Sequence, residues 1–155
     1  MYKFSVDLTE LEYTYKHVKY ATKNYNPIPC PRITGKMMFM SKQWAKYTEY
    51  KKHIKESFIA TFEEPPENIF QPNQKYDCFI KVAFKDKKHG DIADNIVKPI
   101  LDSIFCKESK LNDKLIQTHT SFCYNSKTSL DVIFIDDLDI YFEDYIKACR
   151  WLKNK

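Results

Sequence analysis

Alternating apolar and polar positions predict strands in two parts of the chain. Residues Lys3 to Leu8 alternate with a period of two, which is typical of a half-buried strand. Tyr76 to Phe84 shows the clearest alternation, with Asp77 and Lys81 on the face opposite the apolar side chains. We expect both segments to join one sheet.

Two further strands are predicted nearer the end of the chain. They cover Leu115 to Tyr124 and Leu130 to Ile135. Because only a short polar segment with Asn125-Ser126 separates them, we expect them to pair directly as a hairpin.

Apolar spacings of three and four predict a long amphipathic helix. Ser41 is a good N-cap, and Pro65-Pro66 ends the pattern. The apolar face consists of Trp44, Tyr47, Tyr50, Ile54, Phe58 and Phe62. Before this helix, Tyr13 to Arg32 is rich in Tyr, Lys and Asn and closes with three prolines, so we predict a basic, aromatic loop.

A second helix is predicted after the central strand. It should begin near Asp94 or Asn95, with a distortion at Pro99 or a start that settles only after it. The segment Leu138 to Leu152 is predicted to be helical as well. The order β-α-β-α-β-β-α predicts an α/β or α+β fold, with a mixed sheet flanked by helices.

Length and composition indicate one domain. The chain has 155 residues, of which 43% are hydrophobic and 30% charged, which suffices for one core. We expect the domain to span 1–155, with its core at about 3–135 and an acidic helical tail at 136–155. No apolar run approaches the roughly 20 residues of a membrane span, and Met1 to Glu10 lacks the pattern of a signal peptide, so we expect a cytoplasmic protein.

Cysteine and glycine usage excludes several classes of function. The 5 cysteines show no C-x-x-C spacing, so free thiols are expected rather than a zinc site or disulfides. Only Gly35 and Gly90 occur, so neither a phosphate-binding P-loop nor a dinucleotide-binding fingerprint can be present.

Charge is segregated along the chain, although the net charge is only +4. The stretch from Lys16 to Lys55 is basic and includes Arg32 and Lys36, whereas Asp131 to Asp144 is acidic. A basic stretch of this kind is typical of a solvated surface or of a surface that binds phosphate backbones. Composition alone leaves both interpretations open.

The segment Asp91 to Asp113 carries the candidate chemistry. On a helix, Asp94, Lys98 and Asp102 would form one polar stripe. Asp91 and Asp94 lie at a predicted strand-to-helix junction, and Asp113 is expected to enter the neighbouring strand. Converging carboxylates repel one another unless a cation neutralises them, and an all-oxygen set favours Mg²⁺ or Mn²⁺.

Such a site would suit phosphodiester hydrolysis. Lys98 could stabilise the anionic transition state, while the metal generates the attacking hydroxide. A purely structural interpretation also exists, with Asp94 as an N-cap, Lys98 as an ion-pair partner and Asp113 as a turn residue. Spacing alone favours that structural interpretation.

Two motifs resemble the RusA family of Holliday junction resolvases. They are D-N-I-V-K-P-I-L-D at Asp94 to Asp102 and N-D-K-L-I at Asn112 to Ile116. The early segment from Pro31-Arg32 into the aromatic helix is also similar to that family. The resemblance extends over most of Lys3 to Ile135 and implies a homodimer that cuts four-way DNA junctions with a divalent metal, in a bacterial or phage setting.

The resemblance assigns roles residue by residue. It implies catalytic and metal-binding roles for Asp91, Asp94 and Asp113, a catalytic role for Lys98, and supporting roles for Asp102 and Asn112. The chain departs from the family at two positions. Asp91 lies three residues before Asp94 instead of two, and Asn112 stands where an acid is usual.

Basic residues precede the acids and could grip DNA phosphates. The DNA-binding candidates are Arg32, Lys36, Lys85, Lys87, Lys88 and His89. The leading hypothesis is therefore a metal-dependent endodeoxyribonuclease that resolves Holliday junctions in recombination and repair. The alternatives are a junction-binding protein with impaired catalysis and a nuclease for other branched DNA.

Overall fold

The structure is a computed structural model with four helices and six strands among the residues it describes. These residues are 1–32, 35, 40–85, 95–125, 127–136 and 142–155, with the backbone alone at 122–125. The strands are β1 (Tyr2–Val6), β2 (Glu10–Tyr15), β3 (Val18–Lys23), β4 (Tyr76–Phe84), β5 (Ile116–Asn125) and β6 (Ser129–Ile135). The helices are α1 (Lys42–Phe62), α2 (Pro66–Ile69), α3 (Lys98–Ile104) and α4 (Phe142–Asn154).

The main sheet is mixed and has the strand order β1-β6-β4-β5. β6 pairs antiparallel with β1 and β4, whereas β5 pairs parallel with β4. The prediction of a mixed sheet with flanking helices in an α+β domain is confirmed. The predicted hairpin of β5 and β6 is wrong, because β4 lies between these strands. All nine residues of β4 are buried, which explains its central place.

The segment predicted to be a basic, aromatic loop contains a hairpin. β2 and β3 form a separate two-stranded sheet in which Tyr13 lies opposite Tyr20. The prediction of a loop is therefore wrong for the first part of Tyr13 to Arg32, and the element order differs accordingly. The turn residues Lys16 and His17 have φ of 48° and 64°, conformations usually taken by Asn or Gly, so the usual turn signal is missing from the sequence.

Helix α1 agrees closely with its prediction. The Ser41 hydroxyl accepts a hydrogen bond of 3.1 Å from the Trp44 N–H, and Glu63 ends the helix at φ 58°. The buried face consists of Tyr47, Tyr50, Ile54 and Phe58. Tyr50, Ile54 and Phe58 pack with α3 and the apolar face of β1, β4 and β6 to form the larger part of the core.

Helix α3 begins later than predicted. Its first residue is Lys98, and Pro99 occupies the first turn, where its missing N–H needs no intrahelical partner. Asn95 lies before the helix, in a wider π-type turn, and does not cap it. The regular helix thus begins one residue before Pro99 instead of after it, and the irregular turn lies at Asn95 and Ile96.

Helix α4 confirms the predicted helical tail from Phe142 onward and covers the other face of the sheet. The start of the predicted segment, 138–141, lies outside the described residues. Ala148 and Leu152 pack against Phe79, Ile133 and Ile135. Asp77 and Lys81 point to this face, as their alternation predicted, but both are buried. No helix in the described part of the chain is long and apolar enough to cross a membrane.

Candidate active site

The proline-rich segment from Pro27 to Arg32 is hydrogen-bonded to the turn that precedes α3. The backbone N–H of Cys30 donates a hydrogen bond of 2.7 Å to the carbonyl oxygen of Asn95. With its amide oxygen facing the guanidinium, the Asn95 side chain accepts hydrogen bonds from Nε and Nη2 of Arg32 at 2.6 and 2.9 Å. Residues more than 60 positions apart along the chain are thereby held together at the start of the D-N-I-V-K motif.

Lys98 forms an ion pair within α3. Its Nζ lies 3.1 Å from Oδ2 of Asp102, and the two side chains are 53% and 31% exposed. The hydrogen bond to Asp102 raises the pKa of Lys98 above its usual value, partial burial opposes this, and the charges of Asp102, Cys30 and Asp113 raise it further. Lys98 is therefore a fixed positive charge at neutral pH.

Asp113 lies on a 3-10 turn, Asp113–Leu115, immediately before β5. The Asn112 side chain caps this turn, because its Oδ1 accepts a hydrogen bond of 2.9 Å from the Lys114 N–H. Tyr76 pairs with Ile116, so Asp113 lies near the first residue of β4, at the opposite end from Phe84. Asp113 thus precedes the neighbouring strand instead of entering it beside the strand-to-helix junction, although its charge still acts on Lys98.

A basic cleft of about 780 Å³ lies beside the turn that precedes α3. Its walls are the proline-rich segment, the first turns of α1 and Asn95, and its lining includes Arg32, Gln43 and Lys46. Burial lowers the pKa of Lys46, and the positive charges of Lys42 and Lys85 lower it further. The cleft therefore concentrates positive charge, which favours an anionic ligand.

Tyr47, on the buried face of α1, lies near Cys30 and near Asp102, the ion-pair partner of Lys98. Burial raises the pKa of Tyr47 far above its usual range, and the neighbouring Cys30 thiol and Asp102 carboxylate act in the same direction. Its hydroxyl therefore stays protonated at neutral pH and is available as a hydrogen-bond donor.

The structure brings together some of the predicted site residues. Lys98, Asp102 and Asp113 share one electrostatic neighbourhood, with Arg32 and Asn95 on one side of it. The predicted site residues Asp91, Asp94, Lys36, Lys87, Lys88 and His89 lie outside the described residues. Within the described ranges, no three His, Cys, Asp or Glu side chains come close enough together to hold a metal ion.

Sequence reasoning missed two residues of the cleft. Cys30 and Asn95 were given no site role, yet they connect the proline-rich segment to the turn before α3. Lys46, which lines the cleft, and Lys42 belong to the lysine face of α1, which on the sequence alone fits either a solvated helix surface or contact with a polyanion. No local sequence pattern predicts the contact between Cys30 and Asn95, which lie far apart in the chain.

Comparison of the chain with protein-family models, curated proteins and solved structures finds no match.

Proposed function

We propose that this protein is a metal-dependent endonuclease that cleaves branched DNA, with the four-way junction as its substrate. The observation that carries the proposal is the Lys98 ammonium, held 3.1 Å from Asp102 beside a cleft lined by Arg32 and Lys46. A positive charge of this kind stabilises the extra negative charge of a phosphoryl transition state. The resemblance of the two acidic motifs to the RusA family supports the same function.

The proposed cofactor is Mg²⁺, with Mn²⁺ as a substitute. Asp113 presents an exposed carboxylate on a short turn, which is the hard oxygen donor that Mg²⁺ takes in proteins. The resemblance to the RusA family adds Asp91 and Asp94 to the proposed ligand set. The metal would supply an activated water for hydrolysis, whereas Lys98 and the cleft cations would orient the phosphate.

The proposed assembly is a homodimer. A four-way junction has approximate two-fold symmetry, so an isologous dimer can present two identical sites to opposed strands. Helix α4 supports this proposal, because Phe142 and Ile146 lie one turn apart and are 62% and 37% exposed.

A second candidate is a junction-binding protein without catalysis. Asn112 favours it, since its side chain caps the turn instead of adding a carboxylate to the site. The Lys98–Asp102 ion pair is also what a purely structural helix would contain.

Cleavage of a labelled four-way junction in Mg²⁺, Mn²⁺ or EDTA separates the two candidates. The nuclease is expected to make paired, symmetric cuts that require the metal and spare a linear duplex of the same sequence. Tight junction binding without cuts in either metal would select the second candidate.

Lys98→Met tests the site itself. We expect cleavage at saturating protein to fall at least about 100-fold, with junction affinity nearly unchanged, because Lys98 acts on charge that develops in the transition state. The matched control is Lys52→Met, which removes another i,i+4 lysine–carboxylate pair, Lys52–Glu56, on an exposed face of α1. Cleavage by Lys98→Met at the wild-type rate would show that the assignment is wrong.

A further inference from the structure

The β2–β3 hairpin presents a basic tip to solvent. Lys16, His17, Val18 and Lys19 are consecutive and exposed. The two turn residues, Lys16 and His17, both have positive φ, a conformation that costs free energy for residues with a Cβ. The chain thus keeps two cationic or titratable side chains at a turn where Asn-Gly would be more stable.

The hairpin is directly connected to the cleft. The ammonium of Lys42, at the start of α1, lies 3.6 Å from the centroid of the Tyr20 ring on β3. At the other end of β3, the Lys85 ammonium donates a hydrogen bond of 2.8 Å to the Asn24 carbonyl oxygen. Lys46 in the cleft is influenced by the charges of both lysines. We call the lysines on the hairpin and beside the cleft, Lys16, Lys19, Lys42, Lys46 and Lys85, the lysine track.

Three lysines of the track, Lys42, Lys46 and Lys85, are electrostatically unfavourable for the protein alone. Lys42 and Lys46 occupy the first turns of α1, whose first turn contains no acidic residue, although the positive end of the helix dipole disfavours cations there. Like charges on Lys42, Lys46 and Lys85 repel one another as well. A polyanion lying along the track would relieve both effects.

We propose that the β2–β3 hairpin is a second DNA-binding element, which holds the phosphate backbone of a duplex arm where that arm leaves the cleft. This inference rests on the proposed function, because that function supplies a branched DNA with arms. Tyr20, whose ring contacts Lys42, is the third residue of β3, so the hairpin tip lies beside the start of α1 and continues the basic surface of the cleft. Lys16 and Lys19 contact phosphates, and the contacts carry no base sequence information.

The test is junction binding in EDTA by Lys16→Gln/Lys19→Gln, measured by fluorescence anisotropy over a series of salt concentrations. We expect affinity at moderate salt to fall about tenfold, and the slope of log affinity against log salt to decrease by up to about 1.8 for two lost phosphate contacts. The control is Lys3→Gln/Lys52→Gln, which removes two exposed lysines outside the cleft lining, the hairpin and α4 and should leave the slope unchanged. Thermal melting of both variants checks that they fold.

The outcomes separate this inference from the proposed function. Wild-type affinity and slope in the hairpin variant would overturn the hairpin inference, even if the protein cuts junctions. Hairpin-dependent binding without metal-dependent cutting would overturn the nuclease and leave the hairpin as a DNA-binding element. A wild-type protein that shows no salt-dependent DNA binding would overturn the hairpin inference as well.

Discussion

The two faces of the main sheet are built differently, although the same strands supply both. The face under α1 and α3 is a continuous apolar core in which Phe58, Phe70 and Phe134 are completely buried. The face under α4 has a much smaller apolar cluster. It also contains three buried charged side chains, Asp77, Lys81 and Asp131.

The buried charges under α4 have partners from neighbouring strands. Lys81 and Asp131 lie opposite each other in the β4–β6 register. Oδ1 of Asp131 accepts a hydrogen bond of 2.6 Å from the Ser5 hydroxyl, and Lys155 at the end of the chain lies 3.7 Å from it. Asp77 accepts hydrogen bonds from Thr118 and Gln117. Buried charges need such partners because their desolvation is costly.

Stability and the proposed chemistry are concentrated on the same side of the sheet, under α1 and α3. The cleft, the proline-rich segment and Lys98 all lie on or beside α1 and α3, the helices that cover the larger apolar core. A rigid apolar support fixes the geometry of a site, because packed side chains leave little freedom to the backbone above them. The α4 face can then vary with smaller consequences for the site.

Phe58→Ala is expected to have the largest effect on stability. Phe58 is 0% exposed and its ring contacts those of Phe4, Phe62 and Phe70. Its loss should lower the free energy of unfolding by about 3–5 kcal/mol, measured by urea denaturation, because it leaves a cavity that the rings cannot refill. A loss below about 1 kcal/mol would contradict the difference between the two faces.

Asp131→Asn is expected to have an intermediate effect. The substitution keeps the shape of the side chain but removes the charge that faces Lys81 and Lys155. We expect the free energy of unfolding to fall by about 1–3 kcal/mol, while junction cleavage by the folded protein is unchanged. Asp144→Asn, at an ion pair with Lys147 on the outside of α4, is the control and should cost less than about 1 kcal/mol. A loss of cleavage without a loss of stability would tie the α4 face to the site.

Asp7→Asn is expected to have the smallest effect on the free energy of unfolding, and that effect depends on pH. Hydrogen bonds from the Thr9 hydroxyl and N–H, at 2.5 and 2.9 Å, lower the pKa of Asp7 below its usual value, and the charge of His53 adds to this. A lowered pKa stabilises the fold above the unfolded-state pKa of about 3.9, and that contribution is lost as the pH falls through the folded-state pKa.

Wild type and Asp7→Asn should therefore differ by less than about 1 kcal/mol at neutral pH, since the carboxylate is exposed. The difference, followed by urea denaturation from neutral to acidic pH, should shrink as the carboxylate is protonated. A difference that grows on acidification would mean that another group dominates this edge of the sheet.

Local patterns were enough to predict the elements with strong periodicity. Helix α1 was predicted from Ser41 to Pro65, and β4 from its alternation, because capping and burial on one face act on residues close in sequence. The β2–β3 hairpin was missed because its turn residues, Lys16 and His17, are not the types that usually adopt positive φ.

For the site, the sequence indicates which chemical groups are present, whereas contacts between distant segments arrange them. The spacing of Lys98 and Asp102 predicted their ion pair, because helix geometry alone places residues four apart on one side. The pairing of β5 with β4 instead of β6, the seating of Cys30 and Arg32 on Asn95, and the burial of Lys81 under α4 were decided only by the fold. Each depends on contacts between residues far apart in the chain, which packing of the whole core selects and no local pattern encodes.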